Sequence, residues 1–149
     1  MFEDLFGRYD TKIDAKFRVP FPKKFREVFG DQLVITHGNK SSLIVVPKKE
    51  WRTLLRDIEG GSFIDEEARS ARRFLLGEAV PVELDGKGRF ILPAHLREFG
   101  GIKNEVAFIG QGDSVEIWDI EKWITEKAEL AKRIPGVGRR LAERRNRNE

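Results

Sequence analysis

The 149-residue chain contains no cysteine, which excludes disulfides, thiolate zinc sites and cysteine nucleophiles together. It also lacks long apolar runs. The N-terminal segment MFEDLFGRYD has acids where a signal peptide needs a basic region, and no later stretch approaches the ~20 apolar residues that span a bilayer. These absences favour a cytoplasmic protein without an export signal, a transmembrane segment or a membrane partner.

Recognisable catalytic motifs are missing as well. His37 and His95 have no metal-ligand spacing such as HExxH, and neither GxSxG nor GxxxxGK[ST] occurs. We expect both histidines at surface or half-buried positions. The segment GQG at 110–112 lies between two predicted strands, so we interpret it as a hairpin turn and not as a dinucleotide loop. The sequence therefore predicts no enzyme, no catalytic residue, no metal, no cofactor and no small-molecule substrate.

The net charge of +3 is unevenly distributed. Residues 132–149 sum to +5, so the rest of the chain sums to −2 and the basic isoelectric point belongs to the C-terminal end. Its segment RRLAERRNR either attracts phosphates without sequence preference or only solubilises the chain. A second excess lies in residues 8–27, which sum to +4, whereas residues 79–98 sum to zero.

One segment of the chain occurs twice. KIDAKFRVPFPKKFREVFG at residues 12–30 returns in modified form as VELDGKGRFILPAHLREFGG at residues 82–101. Two copies at so long a spacing indicate a duplicated subdomain, because solenoids need three or more units. A shift of 71 positions pairs identical residues: Asp14 with Asp85, Lys16 with Lys87, Arg18 with Arg89, Pro22 with Pro93, and Arg26 with Arg97.

Hydrophobic periodicity and turn residues predict the same order in each copy: strand, loop, strand, short helix and hairpin. Two connecting helices are predicted at about 48–59 and 65–76, and a C-terminal helix at about 120–134. Pro135-Gly136 is expected to end that last helix and to leave a mobile tail. The predicted organisation is a first unit at 5–51, a helical linker at 52–78, a second unit at 79–123, and a C-terminal helix with basic tail at 124–149.

The repeated D-x-K-x-R segment is the candidate binding site. Lys and Arg on a strand–loop–strand bend can contact phosphates, and Arg can also bond a guanine in the major groove. An aspartate four residues before the arginine can orient its guanidinium. A charged turn that is simply solvated explains the same composition, so both interpretations stay open at this point.

The two motifs also resemble a known family. The patterns GxxxxxIDAKxRVxxP from Gly7 to Pro22 and LDGKGRFILP from Leu84, each followed by F-R or L-R and later by E-x-W or E-K-W, are similar to the MraZ family. In that family two SpoVT-AbrB units lie in one chain. The resemblance covers about residues 5–124. It implies an α+β, mainly β fold: a duplicated swapped-hairpin AbrB-like barrel formed as an intrachain pseudo-dimer, with linker and C-terminal helices.

The resemblance further implies a sequence-specific, DNA-binding transcriptional regulator of nucleoid-associated, cytoplasmic location. Such a protein binds repeated operator boxes in double-stranded DNA, upstream of the division and cell-wall gene cluster, as a homo-oligomeric ring. An AbrB-like antitoxin or protein-interaction module is the alternative. The DNA-binding positions that match are Lys16, Arg18, Lys87 and Arg89, with Asp14 and Asp85 in support. Arg8 and Lys12, in the basic segment 8–27, are further candidates for phosphate contacts.

The first copy departs from the family pattern, since Phe17 stands where the second copy has Gly88. A positive φ disfavours phenylalanine by about 1 kcal/mol or more, so the sequence predicts that the first loop bends differently. Phe17 is expected either to pack against protein or to press against a base step. Equal roles for Arg18 and Arg89 are then not expected.

Overall fold

The two halves of the chain repeat one order of elements. A computed structural model describes residues 4–58 and 65–148 of the chain as a mixed α+β fold made mainly of strands. The predicted order of strand, loop, strand, short helix and hairpin is confirmed in both halves. The first half contains β1 (Arg8–Lys12), β2 (Arg18–Pro20), α1 (Lys23–Phe29), β3 (Gln32–His37) and β4 (Leu43–Pro47). After α2 (Trp51–Ile58) and α3 (Glu66–Leu76), the second half contains β5 (Val80–Glu83), β6 (Arg89–Ile91), α4 (Ala94–Gly100), β7 (Glu105–Gly110) and β8 (Val115–Asp119), followed by α5 (Ile120–Asn148).

Strands are exchanged between the halves. Six of them form one antiparallel sheet in the order β1-β7-β8-β4-β3-β5, and β2 pairs with β6 in a separate two-stranded ribbon. In the large sheet, Arg8 of β1 lies opposite Ile109 of β7, and Gln32 of β3 lies opposite Glu83 of β5. The first strand of each half therefore pairs with the hairpin of the other half.

An aromatic core lies beneath the ribbon and is shared by both halves. Phe21 packs edge-on against Phe108 at 5.6 Å between ring centroids and against Phe90 at 6.3 Å. Phe25 contacts Phe21 and the ring of Tyr9. All four phenylalanines are buried, and truncating one such ring typically costs 3–5 kcal/mol. The core consequently forms only when both halves are in place.

The two short helices begin after a proline and end at a glycine. Pro22 and Pro93 occupy the capping position before α1 and α4. Gly101 ends α4 in the left-handed region with φ 58°, and its N–H donates to the Arg97 and Glu98 carbonyls. Helices of seven residues are unstable alone in water, so α1 and α4 depend on their buried side chains.

The connecting helices lie close to their predicted positions. The first begins as a 3₁₀ turn at Lys48–Glu50 before α2, and residue 59 lies outside the described residues. Asp65 caps α3 by accepting the backbone N–H of Glu67 at 3.0 Å. The hydroxyl of Thr36 on β3 donates to the Leu75 carbonyl, which fixes the end of α3 to the sheet.

The C-terminal helix is longer than predicted. Pro135 was expected to end it, and the following residues were expected to be mobile, but α5 runs through Pro135 to Asn148. A proline inside a helix removes one hydrogen bond, at a local cost of about 3 kcal/mol. The prediction was wrong because the residues after Pro135-Gly136 are mostly Arg, Leu, Ala and Glu, all strong helix formers. None of the helices within 4–58 and 65–148, this one included, has the length and apolarity to cross a membrane.

Cutting the chain between its halves should leave them associated. A protease recognition sequence inserted between residues 58 and 65 would allow the cut to be made in the folded protein. The β1–β7, β3–β5 and β2–β6 pairs and the shared core should hold the pieces together. We expect cut and uncut protein to co-elute in size-exclusion chromatography and the pieces to separate only in denaturant. Separation in plain buffer would contradict the exchanged topology.

Candidate nucleic-acid interface

The β2–β6 ribbon brings the two copies of D-x-K-x-R together. Its register places Arg18 opposite Ile91, Val19 opposite Phe90, and Pro20 opposite Arg89. Val19 and Phe90 are buried, so the two arginines, Pro20 and Ile91 lie on the outer face. Two residues distant in sequence, Arg18 and Arg89, are thereby placed on one small surface.

The loop before β2 is organised by one carboxylate. Oδ1 of Asp14 accepts the backbone N–H of Lys16 at 2.9 Å and that of Arg18 at 2.9 Å. Oδ2 accepts the guanidinium Nε–H of Arg18 at 2.6 Å. The same side chain thus fixes the bend of the loop and the direction of the arginine.

The loop before β6 has the same arrangement. Oδ1 of Asp85 accepts the backbone N–H groups of Lys87 at 2.8 Å and Arg89 at 2.9 Å, and Oδ2 accepts Nε–H of Arg89 at 3.0 Å. Among the described residues, no acceptor bonds the terminal guanidinium nitrogens of either motif arginine. These nitrogens form the fork that binds guanine or phosphate bidentately. Both arginines are therefore oriented, with their donors available to an external partner.

Hydrogen bonding also keeps both aspartates ionised. The backbone N–H of Arg18 is the largest cause that holds the pKa of Asp14 below its ordinary value, and the Arg18 side chain adds to it. The pKa of Asp85 is lowered in the same way, first by the backbone N–H of Arg89. Desolvation opposes both shifts without reversing them. The charged form that clamps each arginine is therefore the stable form at neutral pH.

The expectation that the first loop bends differently is wrong. Phe17 has φ 62° and Gly88 has φ 75°, and their N–H groups donate to the Asp14 and Asp85 carbonyls at 3.0 and 2.9 Å. The left-handed conformation costs a residue with a Cβ roughly 1–2 kcal/mol. Contact with Arg97, whose guanidinium carbon lies 3.6 Å from the Phe17 ring centroid, offsets part of that cost. One face of the ring thus packs against the protein, although the side chain stays 46% exposed.

A further pair of arginines adjoins the loops and received no role in the sequence-based prediction. Arg97 donates to the Leu92 carbonyl while stacking on Phe17. Its counterpart Arg26 bonds Asp31 at 3.0 Å and lies over Gly88, where an added Cβ would be 2.9 Å from Nη1. Each arginine belongs to the half opposite the loop it covers. The sequence did show that Arg26 and Arg97 are identical residues separated by the repeat shift of 71. Only the exchanged topology shows which loop each of them contacts.

The two additional basic residues differ in position. Lys12 ends β1 next to the first loop and is exposed. Arg8 lies at the other end of β1, about 13 Å away along the strand, and donates twice to the Asp10 carboxylate at 2.9 Å. The structure thus brings Lys12 to the motif and leaves Arg8 in an ion pair at a distance from it.

The histidines fit their predicted surface or half-buried positions. His37 is partly buried and stacks on Phe99 with 3.8 Å between ring centroids, and burial is the main cause that lowers its pKa. His95 is exposed near Glu78. Within the two described ranges, no cluster of three or more His, Asp or Glu side chains is placed to hold a metal ion.

Comparison with known proteins agrees with the internal duplication. The family model described as "MraZ protein, putative antitoxin-like" matches the chain twice, at residues 5–74 and 75–135. A "Transcriptional regulator MraZ" of Thermomicrobium roseum is 38% identical over 136 residues, which are 91% of this chain and 96% of the relative. Proteins of the same name from Thermoanaerobacter sp. strain X514 and Heliobacterium modesticaldum are 41% and 36% identical, covering 80% and 91% of this chain and 83% and 94% of those relatives.

Substitutions of Phe17 should separate backbone strain from ring contact. Phe17→Ala keeps the strain and loses the contact, so it should lower the free energy of unfolding by about 0.5–1 kcal/mol. Phe17→Gly loses the contact but removes the strain, and we expect it to be about 1 kcal/mol more stable than Phe17→Ala. Urea denaturation would measure the free energy of unfolding of both variants, provided that its dependence on urea concentration is the same as in the unmodified chain. Gly88→Ala is the matched control, and it should destabilise the second loop. Equal stability of the two Phe17 variants would show that the loop is unstrained.

The aspartate clamps should also make stability depend on pH. Because their folded pKa values are lowered, the unfolded chain binds protons first, and stability falls as pH drops. The contribution is complete above the ordinary aspartate value of about 3.9 and is lost as pH falls through the lower folded value. We expect the Asp14→Asn/Asp85→Asn variant to be less stable at pH 7 and to lose less stability between pH 5 and about 2.5.

The control for this pH series is Asp113→Asn. Asp113 lies between β7 and β8 and accepts a hydrogen bond from the Ser114 hydroxyl, and no arginine within residues 4–58 and 65–148 forms an ion pair with it. The free energy of unfolding of the Asp113→Asn variant, measured with urea at each pH, should change with pH as that of the unmodified chain does. A double variant with the same pH slope as the unmodified chain would contradict the clamp.

Proposed function

Because the chain belongs to the MraZ family, we propose that it is a sequence-specific DNA-binding transcriptional regulator. We propose that it acts in the cytoplasm, associated with the nucleoid, on repeated operator boxes upstream of the division and cell-wall gene cluster. The relatives are named as regulators, in keeping with the absence of catalytic motifs from this sequence. The observation that supports the proposal most directly is the β2–β6 ribbon, on which two oriented guanidinium groups share one face.

The dimensions of the ribbon support binding in the major groove. That groove admits a two-stranded β-ribbon, and arginine forks bond guanine O6 and N7 there. Arg18 and Arg89 are diagonal neighbours across the strand pair, a relation that separates residues by about 7–8 Å. Two base-pair steps span nearly the same distance, at about 3.4 Å each. We therefore assign base contacts to both arginines.

Phosphate contacts are assigned to the loop lysines. Lys16 and Lys87 are exposed at the tips of the loops, where they flank the ribbon. Lys12 extends this basic edge, and a phosphate could reach Arg8 only in competition with Asp10. Such contacts add affinity without sequence preference. In this proposal the lysines set the strength of binding and the arginines set its specificity.

The proposed architecture is a swapped-hairpin AbrB-like barrel formed as an intrachain pseudo-dimer. The β1–β7 and β3–β5 pairs support it, because each half supplies a strand to the other. We propose units at 5–51 and 79–123, joined by a helical linker at 52–78 and followed by a C-terminal segment at 124–149. A homo-oligomeric ring would present several ribbons to repeated DNA boxes and so multiply modest affinities.

An antitoxin or protein-interaction module is the second candidate, and the "antitoxin-like" wording of the family description is the observation that favours it. Purification of the protein from its host distinguishes the two functions. A second protein in stoichiometric amount would support the interaction module, whereas DNA from one locus would support the regulator.

Replacing the motif arginines should abolish specific DNA binding. Arg18→Ala and Arg89→Ala each remove a bidentate contact worth about 1–3 kcal/mol of discrimination, and we expect the double variant to bind operator no better than random DNA. Lys16→Ala and Lys87→Ala should weaken binding to all sequences and lower the salt slope by about one unit each. Gel shifts on duplexes selected from a random library would measure these effects.

The control for the arginine series is Arg52→Ala, which removes an exposed charge from α2. It should bind as the unmodified chain does. Light scattering on every variant would test whether the oligomer is intact. Unchanged specific binding by the Arg18→Ala/Arg89→Ala protein, with an intact oligomer, would contradict the assigned site.

A further inference from the structure

Ile91 stands out on the ribbon because of its exposure. It is 62% exposed, more than any other large apolar side chain that the structure describes. Its neighbour Phe90, on the inner face of the same strand, is 2% exposed. Scattered exposed apolar residues are normal, so exposure by itself indicates nothing. The surroundings of Ile91 provide the argument.

Charged groups flank Ile91 on two sides. Arg18 lies directly opposite it across the ribbon, a relation that brings Cβ atoms to about 4.5–5.5 Å. Arg89 precedes it by two residues on the same face of β6. Both guanidinium groups are hydrogen-bonded to their aspartates, and Ile91 is exposed beside them. The apolar group therefore stays uncovered between two oriented donors.

A recess beside the ribbon makes this surface three-dimensional. A cavity of about 300 Å³ is bordered by Arg18, Arg89, Asp85 and Ile91, together with Val82 and Glu83 of β5 and the buried Phe90. An apolar group between arginine forks matches the major groove edge of DNA. There, guanine presents two acceptors, and thymine is distinguished by its C5 methyl group. This face therefore offers donors for guanine and an apolar group for the thymine methyl.

The other half offers a different apolar group at the matching position. The repeat shift of 71 places Pro20 where the second half has Ile91, and Pro20 lies opposite Arg89. A proline ring is shorter and fixed in direction. The two ends of the ribbon consequently present unequal apolar contacts beside equivalent arginines.

We propose that Ile91 contacts the C5 methyl group of a thymine next to the base pair bound by Arg18, and so specifies thymine at that position. This inference rests on the proposed DNA-binding function. It adds a specificity-determining residue outside the D-x-K-x-R motif. Because Pro20 lacks the same reach, only one end of each ribbon makes this distinction.

Uracil substitution tests the contact, since uracil differs from thymine only by the methyl group. The full chain and Ile91→Ala are titrated, in gel shifts, against a duplex selected from a random library with each thymine replaced in turn by uracil. We expect one position at which uracil weakens binding of the unmodified chain about fourfold, the effect of burying one methyl group. Ile91→Ala should be weakened to a similar degree on the thymine duplex and should not respond to uracil at that position.

Ile124→Ala is the matched control, because Ile124 is 55% exposed on α5 and lies outside the ribbon. It should keep the uracil response of the unmodified chain. The inference is overturned if Ile91→Ala shows the same uracil response at every position, or if no thymine responds in the unmodified chain. It is also overturned if Ile91→Ala changes the oligomer mass, which would assign the side chain to a contact between copies.

The arginine variants separate this inference from the proposed function. If Arg18→Ala and Arg89→Ala lose specific binding while Ile91→Ala keeps every uracil response, only the role of Ile91 fails. If none of these variants alters specific binding, the ribbon is not the DNA-binding surface, and the assigned site fails together with the role of Ile91. If the unmodified chain selects no sequence from the random library, the proposed function itself fails.

Discussion

Antiparallel pairing of β2 with β6 brings the two motif arginines, Arg18 and Arg89, onto one face. The ribbon contains three residue pairs, too few to be stable alone in water. Its inner residues Val19 and Phe90 are buried in the core, where Phe90 packs against Phe21 of the first half and Phe108 of the second. Burial of this kind supplies most of the stability of a domain. Two backbone bonds, from Phe21 to Gly88 and from Leu92 to Phe17, connect each loop to the opposite strand. The position of each arginine is therefore a consequence of core packing.

The aspartate clamps contribute orientation more than stability. Both Asp–Arg pairs are partly exposed, and solvent screens such pairs strongly. What each clamp provides is a guanidinium direction that is set before a partner arrives, because Oδ1 is anchored to the backbone and Oδ2 holds Nε. Under the proposed function, less side-chain entropy would be lost when the arginines bind DNA, and affinity would improve without an added contact. The repeated D-x-x-x-R spacing is explained by this geometry, because an aspartate four residues before the arginine reaches both its backbone N–H and its Nε–H.

Much of the fold and of the motif could be predicted from the sequence, but their three-dimensional relation could not. Periodicity and the repeat predicted the element order, and the 71-residue shift identified Asp14, Arg18, Asp85 and Arg89. The spacing of the motifs does not indicate which strands pair. The pairing of β1 and β5 with the hairpins of the opposite halves was therefore expected only from the family resemblance. The loop around Phe17 was mispredicted because a local φ preference was overridden by the hydrogen bonds that Asp14 makes within the loop. A contact with Arg97, a residue 80 positions away, offsets part of the cost.

Duplication within one chain permits a difference that a symmetric dimer forbids. In a homodimer of single units, two-fold symmetry would make both ends of the ribbon identical. Here the clamps are equivalent, while Phe17 differs from Gly88 and Pro20 differs from Ile91. The charge of the segments around the two motifs differs as well, at +4 for residues 8–27 and zero for residues 79–98. Equal arginines with unequal neighbours suit a DNA box whose two ends are not related by symmetry. Fusion of the units therefore keeps the Asp–Arg pair in duplicate and, under the proposed function, would allow each end of the ribbon to contact a different base.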